Sequence, residues 1–232
     1  MTRLLVLIRH SIMDLARALM WNVGKYLPID DKKIVISCFK GRGYCDNPKY
    51  IVEALLKKDS SLNIIWLVSN KTEALSLPKC VKTCYYNRLA AIFHYSTARV
   101  WIDNVRKDEK FIKKEAQFYL QTWHGGGAIK RIEKDVEEKL SKNYVEKAKK
   151  ESKYIDLFAS EGHFYSELYH KSFWYSGRVA EIGLPRYDFV LNHYNDEELK
   201  NKIHDYYGIP HDKKIILYAP TFRSGYRFEP YD

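Results

Sequence analysis

From residue 34 onward the chain alternates short apolar runs of strand length with longer stretches whose apolar residues recur at helical spacing. Strand-length runs fall at 34–38, 63–68, 80–84, 100–102, 118–122, 155–159, 179–183 and 214–218. Helical patterns fall at 48–58, 87–94, 139–153, 162–170 and 196–207. The runs at 34–38 and 63–68 are almost wholly apolar, as in strands covered on both faces. Strands separated by helices predict an α/β fold with a parallel sheet wound by crossovers. In such sheets ligands bind beyond the carboxyl ends of the strands, so residues directly after each strand are where chemistry is expected.

Of the 232 residues, 46% are hydrophobic, which excludes a disordered chain and a disulfide-stapled mini-protein. Cys38, Cys45, Cys80 and Cys84 form no C-x-x-C pair, and no His cluster completes a zinc site. They read as reduced thiols, with Cys38 a small buried apolar residue and the protein cytoplasmic. Lys and Arg total 39 against 29 Asp and Glu, a net charge of +10 that favours anionic partners. The lysine-rich stretch 130–153 is interleaved with Glu133, Asp135, Glu137, Glu138, Glu146 and Glu151. It reads as a solvated face, and no nucleic-acid motif accompanies it.

Residues 1–27 form a segment of their own. Arg9, His10, Asp14 and Arg17 interrupt its apolar run, so neither a signal peptide nor a spanning helix fits. On a helical wheel Leu5, Ile8, Ile12, Leu15, Leu19, Met20 and Val23 share one arc, while Arg3, His10, Asp14, Arg17 and Lys25 share the other. That amphipathic helix either lies in a membrane interface or packs on the protein's own core.

Four segments follow strands and carry polar chemistry. In Trp123-His124-Gly125-Gly126-Gly127, a strand delivers an imidazole and then three glycines, with Lys130 in reach. Glycines let a ligand approach the backbone, the N–H groups of a following helix attract phosphate, and an imidazole is the side-chain type suited to serve as a base or acid at that phosphate. The alternative is a tight turn whose His is satisfied by backbone. In Gly183-Leu184-Pro185-Arg186-Tyr187-Asp188, Pro185 stiffens a loop, and Arg186 meets either a phosphate or Asp188. Spacing alone favours the Arg186–Asp188 pair. Arg223 follows the run at 214–218. Gly41-Arg42-Gly43 is an ordinary βα turn or part of an acceptor pocket, with Asp46-Asn47-Pro48 as the cap of the next helix. D-x-D is absent, so a metal-clamped sugar nucleotide is unsupported, and G-x-S-x-G and H-E-x-x-H are absent as well.

Taken as an ordered set, six pieces resemble the CDP-glycerol glycerophosphotransferase family of teichoic-acid primases and polymerases. They are Gly43-Tyr44-Cys45-Asp46-Asn47-Pro48-Lys49, Ala98-Arg99-Val100-Trp101-Ile102-Asp103-Asn104, Gln121-Thr122-Trp123-His124-Gly125, Asp156-Leu157-Phe158-Ala159-Ser160, Gly183-Leu184-Pro185-Arg186-Tyr187-Asp188, and Ile216-Leu217-Tyr218-Ala219-Pro220-Thr221-Phe222-Arg223. The resemblance implies a GT-B architecture of two Rossmann-like domains, with 28–190 the acceptor-side domain and 191–232 the start of the donor-binding one. This length alone is expected to bind CDP-glycerol poorly. It implies transfer of glycerol phosphate from CDP-glycerol to a lipid-linked glycerol-phosphate acceptor at the inner face of the cell membrane. His124 is the implied base. Asn47, Gly125, Gly126, Gly127, Lys130, Arg186, Asp188 and Arg223 are expected at the substrates. No cofactor is implied, an anionic membrane surface is an expected partner, and homo-oligomerisation is left open. Two other readings are a GT-B transferase of ribitol phosphate or sugar, and a non-catalytic basic domain that binds anionic lipid or polymer.

Overall fold

The computed structural model describes residues 2–75, 77–107, 111–125 and 130–218, with side chains from Ser11 onward. It divides into two units, Met1–Phe189 and Val190–Asp232.

The first unit is built on seven parallel strands: β1 (Asp30–Ser37), β2 (Asn63–Val68), β3 (Lys82–Tyr85), β4 (Ala98–Asp103), β5 (Phe118–Gln121), β6 (Leu157–Ser160) and β7 (Arg178–Glu181). Their order is β3-β2-β1-β4-β5-β6-β7, with every neighbouring pair parallel. Successive residues of β1 point to opposite faces, and both faces are covered. Val35 joins a core with Trp101, Tyr119 and Phe158, whereas Ile34 and Ile36 join one with Val52, Trp66 and Ile102. This two-sided burial is why the strand runs are continuously apolar rather than alternating. The order reverses between β1 and β4, and in open parallel sheets the carboxyl ends of the strands at such a reversal are where ligands bind.

Eight α-helices are described: α1 (Thr2–Gly24), α2 (Asp46–Lys58), α3 (Lys71–Leu75), α4 (Leu89–Thr97), α5 (Lys142–Ser152), α6 (His163–Ser172), α7 (Pro185–Asn192) and α8 (Glu197–Tyr207). The two readings of the N-terminal helix divide between its faces. α1 packs on α4 through Trp21, whose ring centroid lies 6.2 Å from Tyr95 and 6.3 Å from Trp101. A Cβ on Gly24 would stand 2.2 Å from Ser96 Oγ, so glycine permits the close helix–helix approach. Ile12, Leu15, Leu19 and Val23 lie on the other face, 60%, 72%, 62% and 49% exposed. No helix among the described residues is long and apolar enough to cross a membrane.

Several sequence expectations shift. The helix over 139–153 is α5, Lys142–Ser152, which Ser141 caps by accepting from Tyr144 N at 3.3 Å, and a 3₁₀ segment, Glu133–Lys139, precedes it. The cap of α2 is Cys45 rather than Asp46 and makes no side-chain capping bond, while Asp46 bonds Asn104 and Arg186. Pro185 begins α7 instead of holding a loop; its fixed φ and missing N–H suit a first helical position. The stretch 130–153 is only partly a solvated face. Glu137 and Lys149 do pair at the surface at 2.7 Å, but Glu133 and Glu151 are buried. They meet Arg106, which lies 3.2 Å from Glu133 and 3.5 Å from Glu151.

In the second unit Asp196 caps α8 through Leu199 N at 2.9 Å, and Gly208 closes it in the left-handed region at φ +64°. Residues 214–218 form no strand, and Ile216 and Leu217 are 91% and 86% exposed. An apolar, β-prone run becomes a strand only when a neighbour takes up its N–H and C=O groups, and no described strand lies beside this one.

Candidate active site

The side chains of interest converge at the carboxyl ends of β1, β4 and β5, on either side of the point where strand order reverses. β1 leads into a tight turn in which Phe39, Lys40 and Gly41 all adopt positive φ, at 44°, 60° and 89°. Only glycine fits at Gly41, where a Cβ would fall 2.6 Å from Ser69 N. Gly43 N donates to Glu73 Oε2 at 2.6 Å, so Gly41-Arg42-Gly43 is a βα turn fastened to its neighbours. The turn leads to Asp46 and Asn47 at the start of α2. Asn104 comes directly after β4, and Trp123 and His124 come after β5.

Asn104 is fully buried and joins three of these loops. Its Oδ1 accepts from Phe39 N at 2.8 Å, and its Nδ2 donates to Asp46 Oδ2 at 2.6 Å. Its backbone oxygen lies 2.6 Å from His124 Nδ1. A carbonyl can only accept, so Nδ1 carries the imidazole proton and Nε2 presents its lone pair. Among the described residues Nε2 has no hydrogen-bond partner. The half-buried ring rests between Phe39, 5.4 Å away and edge-on, and Trp123, at 4.4 Å.

Arg186 closes the group from the start of α7. Its Nη1 donates to Asp46 Oδ1 and to the backbone oxygen of His124, each at 2.7 Å, and Nη2 donates to the Tyr187 hydroxyl at 3.0 Å. Burial works against the guanidinium charge, but the bonds to Tyr187 and Asp46 outweigh it and leave the group above its ordinary pKa. Arg186 therefore pairs with Asp46, 140 residues away, and not with Asp188, which is exposed. Asn47 is fully buried rather than open to a ligand: its Nδ2 donates to Trp123 O and its Oδ1 accepts from Arg186 N, both at 3.3 Å. Gly125 is exposed, and a Cβ there would meet only the Trp123 ring, at 3.6 Å, so the described fold does not require glycine at this position. Lys130 is exposed. Gly126, Gly127 and Arg223 lie outside the described residues.

The structure thus gathers His124, Asn47 and Arg186 from the expected set and adds two residues that sequence spacing did not single out, Asp46 and Asn104. Asn104 directly follows β4, which is the signal that flags it, whereas Asp46 stands at the start of α2 and reads in sequence only as part of that helix's cap. Which strand ends meet depends on strand order. Glu161, directly after β6, has a buried Oε1 with no partner among the described residues, and burial raises its pKa despite the field of Arg186.

Residues 19–230 match the family model described as CDP-Glycerol:Poly(glycerophosphate) glycerophosphotransferase. The chain belongs to this family. Among curated relatives of this glycerophosphotransferase family, the chain is 33% identical over 202 residues to a teichoic acid poly(glycerol phosphate) polymerase of Staphylococcus epidermidis, covering 84% of this chain and 28% of that protein. It is 32% identical over 224 residues to a teichoic acid glycerol-phosphate transferase of Staphylococcus aureus, covering 94% and 56%. The wall teichoic acid polymerase TagF superposes with a TM-score of 0.83 at 31% identity, over 96% of this chain and 55% of that one. A histidine-to-asparagine variant of TagF soaked with CDPG superposes at 0.80 and 29% identity, over 96% and 57%. The chain therefore spans from about a quarter to somewhat over half the length of the proteins it matches. The fold is α/β and GT-B-like, with the seven-stranded sheet as one Rossmann-like half.

Proposed function

We propose that this chain carries the acceptor side of an enzyme that transfers glycerol phosphate from CDP-glycerol to a lipid-linked glycerol-phosphate acceptor, in the synthesis of teichoic acid or a related polymer. The observation that carries the reading is His124, whose Nδ1 proton is held by the Asn104 carbonyl while Nε2 is left to act as a base. A terminal acceptor hydroxyl attacks the β-phosphate of CDP-glycerol. As the new O–P bond forms, Nε2 takes the hydroxyl proton, the bond to the bridging oxygen breaks, and CMP leaves with its electron pair. Much of the remaining rate enhancement comes from positioning and electrostatic stabilisation of the transferring group. Lys130 and Arg186 are the cations proposed nearest the transferring phosphate, with Gly125, Gly126 and Gly127 as the open backbone beside it. Asp188 and Arg223 are kept as residues of the substrate surface. Glycerol is favoured over ribitol as the alditol, since the glycerol-phosphate relatives above are 32–33% identical. The teichoic acid ribitol-phosphate primase of Bacillus spizizenii is 26% identical.

The same reading places the protein peripherally on the inner membrane face. The exposed apolar stripe of α1 enters the headgroup region, and the surplus of positive charge draws the protein to anionic lipid. The decisive test is His124→Ala in a polypeptide carrying both halves, assayed by CMP release from CDP-glycerol with a lipid-linked acceptor. The expected result is a kcat lower by about a hundred- to ten-thousandfold with an unchanged melting transition. Near-wild-type turnover would exclude His124 as the base.

A further inference from the structure

We infer that Asn104 is a positioning residue that imposes on His124 the tautomer a base requires. The inference rests on the reading of His124 as base and extends it to a residue for which sequence spacing assigned no part.

In water a neutral histidine side chain favours the proton on Nε2, the tautomer in which Nε2 cannot accept a proton from an alcohol. The fold reverses that preference by setting the Asn104 backbone oxygen 2.6 Å from Nδ1. A carbonyl does this only if its own peptide plane is held, and the Asn104 side chain supplies the hold. Oδ1 ties it to the β1 turn at Phe39 N, and Nδ2 ties it to Asp46, which Arg186 pins in turn while also gripping the His124 carbonyl. The imidazole is therefore gripped at both ends of its residue by one network. Phe39, Asp46 and Trp123 adopt positive φ at 44°, 55° and 52°, although none is glycine. Left-handed backbone at three bulky or charged residues around one ring is a cost the surrounding bonds must offset, and such strain gathers where geometry serves function. Asn104 touches neither substrate nor reacting atoms in this account, being fully buried. It acts through His124 alone.

The test is long-range proton–nitrogen NMR of the 232-residue chain labelled with ¹⁵N-histidine, with the His124 signals assigned by their loss in His124→Ala. At a pH where the ring is neutral, the wild type is expected to show His124 as the Nδ1–H tautomer. In Asn104→Ala the Nε2–H form should become the major one. In the two-half polypeptide the same substitution should lower kcat by up to about a hundredfold with KM little changed. Asp46→Asn, which removes the ion pair but keeps an oxygen for Nδ2, should shift the tautomer part-way. If Asn104→Ala loses its cooperative melt, Asn104→Ser is read in its place. A wild-type Nε2–H tautomer, or an unchanged tautomer in a folded Asn104 variant, overturns the inference. A tautomer that changes while kcat does not would uphold the positioning role and remove His124 as base, so the two claims fail separately.

Discussion

At the scale of single residues, the buried charges behind β4 hold the loop that carries Asn104. Lys107 lies 2.7 Å from Asp103 Oδ2 and donates to the Tyr95 hydroxyl at 2.7 Å, and its ammonium sits 3.9 Å from the centroid of that ring. Arg106 bridges Glu133 and Glu151 and donates to Ser152 Oγ and to the backbone oxygen of Phe173. Burial pushes the carboxyls of Asp103 and Glu151 up, and the neighbouring cations pull against that shift. Removing Arg106 would strand two buried carboxylates. Arg106→Ala is expected to cost about 3–5 kcal/mol in urea unfolding, and Arg106→Lys to recover only part of it, since an ammonium cannot reproduce the guanidinium's spread of donors. A loss below about 1 kcal/mol would mean that water reaches these carboxylates.

At the scale of elements, α1 is a helix with two apolar commitments. Trp21, only 6% exposed, belongs to the core, whereas Ile12, Leu15, Leu19 and Val23 serve no packing purpose within the described chain. A helix wheel drawn from sequence groups the second set correctly but passes over Trp21, because a single large ring can anchor a helix without forming a stripe. The double substitution Leu15→Glu, Leu19→Glu is expected to leave stability within about 0.5 kcal/mol per site. It is also expected to abolish flotation with anionic vesicles. Vesicle binding that survives both charges would remove α1 from the membrane contact. The run 63–68 shows the opposite case: six continuous apolar and amide residues marked β2 at both ends, because a strand buried on both faces carries its own boundary.

At the scale of the whole molecule, a net charge of +10 acts over distances set by salt. The Debye length falls from about 10 Å at 0.1 M salt to about 3 Å at 1 M. Vesicle binding driven by both charge and an apolar stripe is therefore expected to weaken steeply with added NaCl on anionic vesicles and to be feeble on zwitterionic ones at any salt. Sedimentation at several ionic strengths measures this; binding insensitive to salt would leave the helix as the sole contact.

Local pattern alone determined the parallel α/β class, the succession of seven strands up to 183 and His124 as an imidazole delivered by a strand, since periodicity is a short-range property of the chain; the strand ends shifted by up to a few residues, and the run at 214–218 formed no strand. The partner of Arg186, the burial of Asn47 and the meeting of Asp46, Asn104 and His124 were decided only by tertiary structure. Asp46 and Arg186 are 140 residues apart, and no spacing rule pairs them. Asp46, Asn104 and His124 meet because β1, β4 and β5 are adjacent in the sheet, and Arg186 joins them from the start of α7, after β7; the lateral order of strands is set by how the whole core packs.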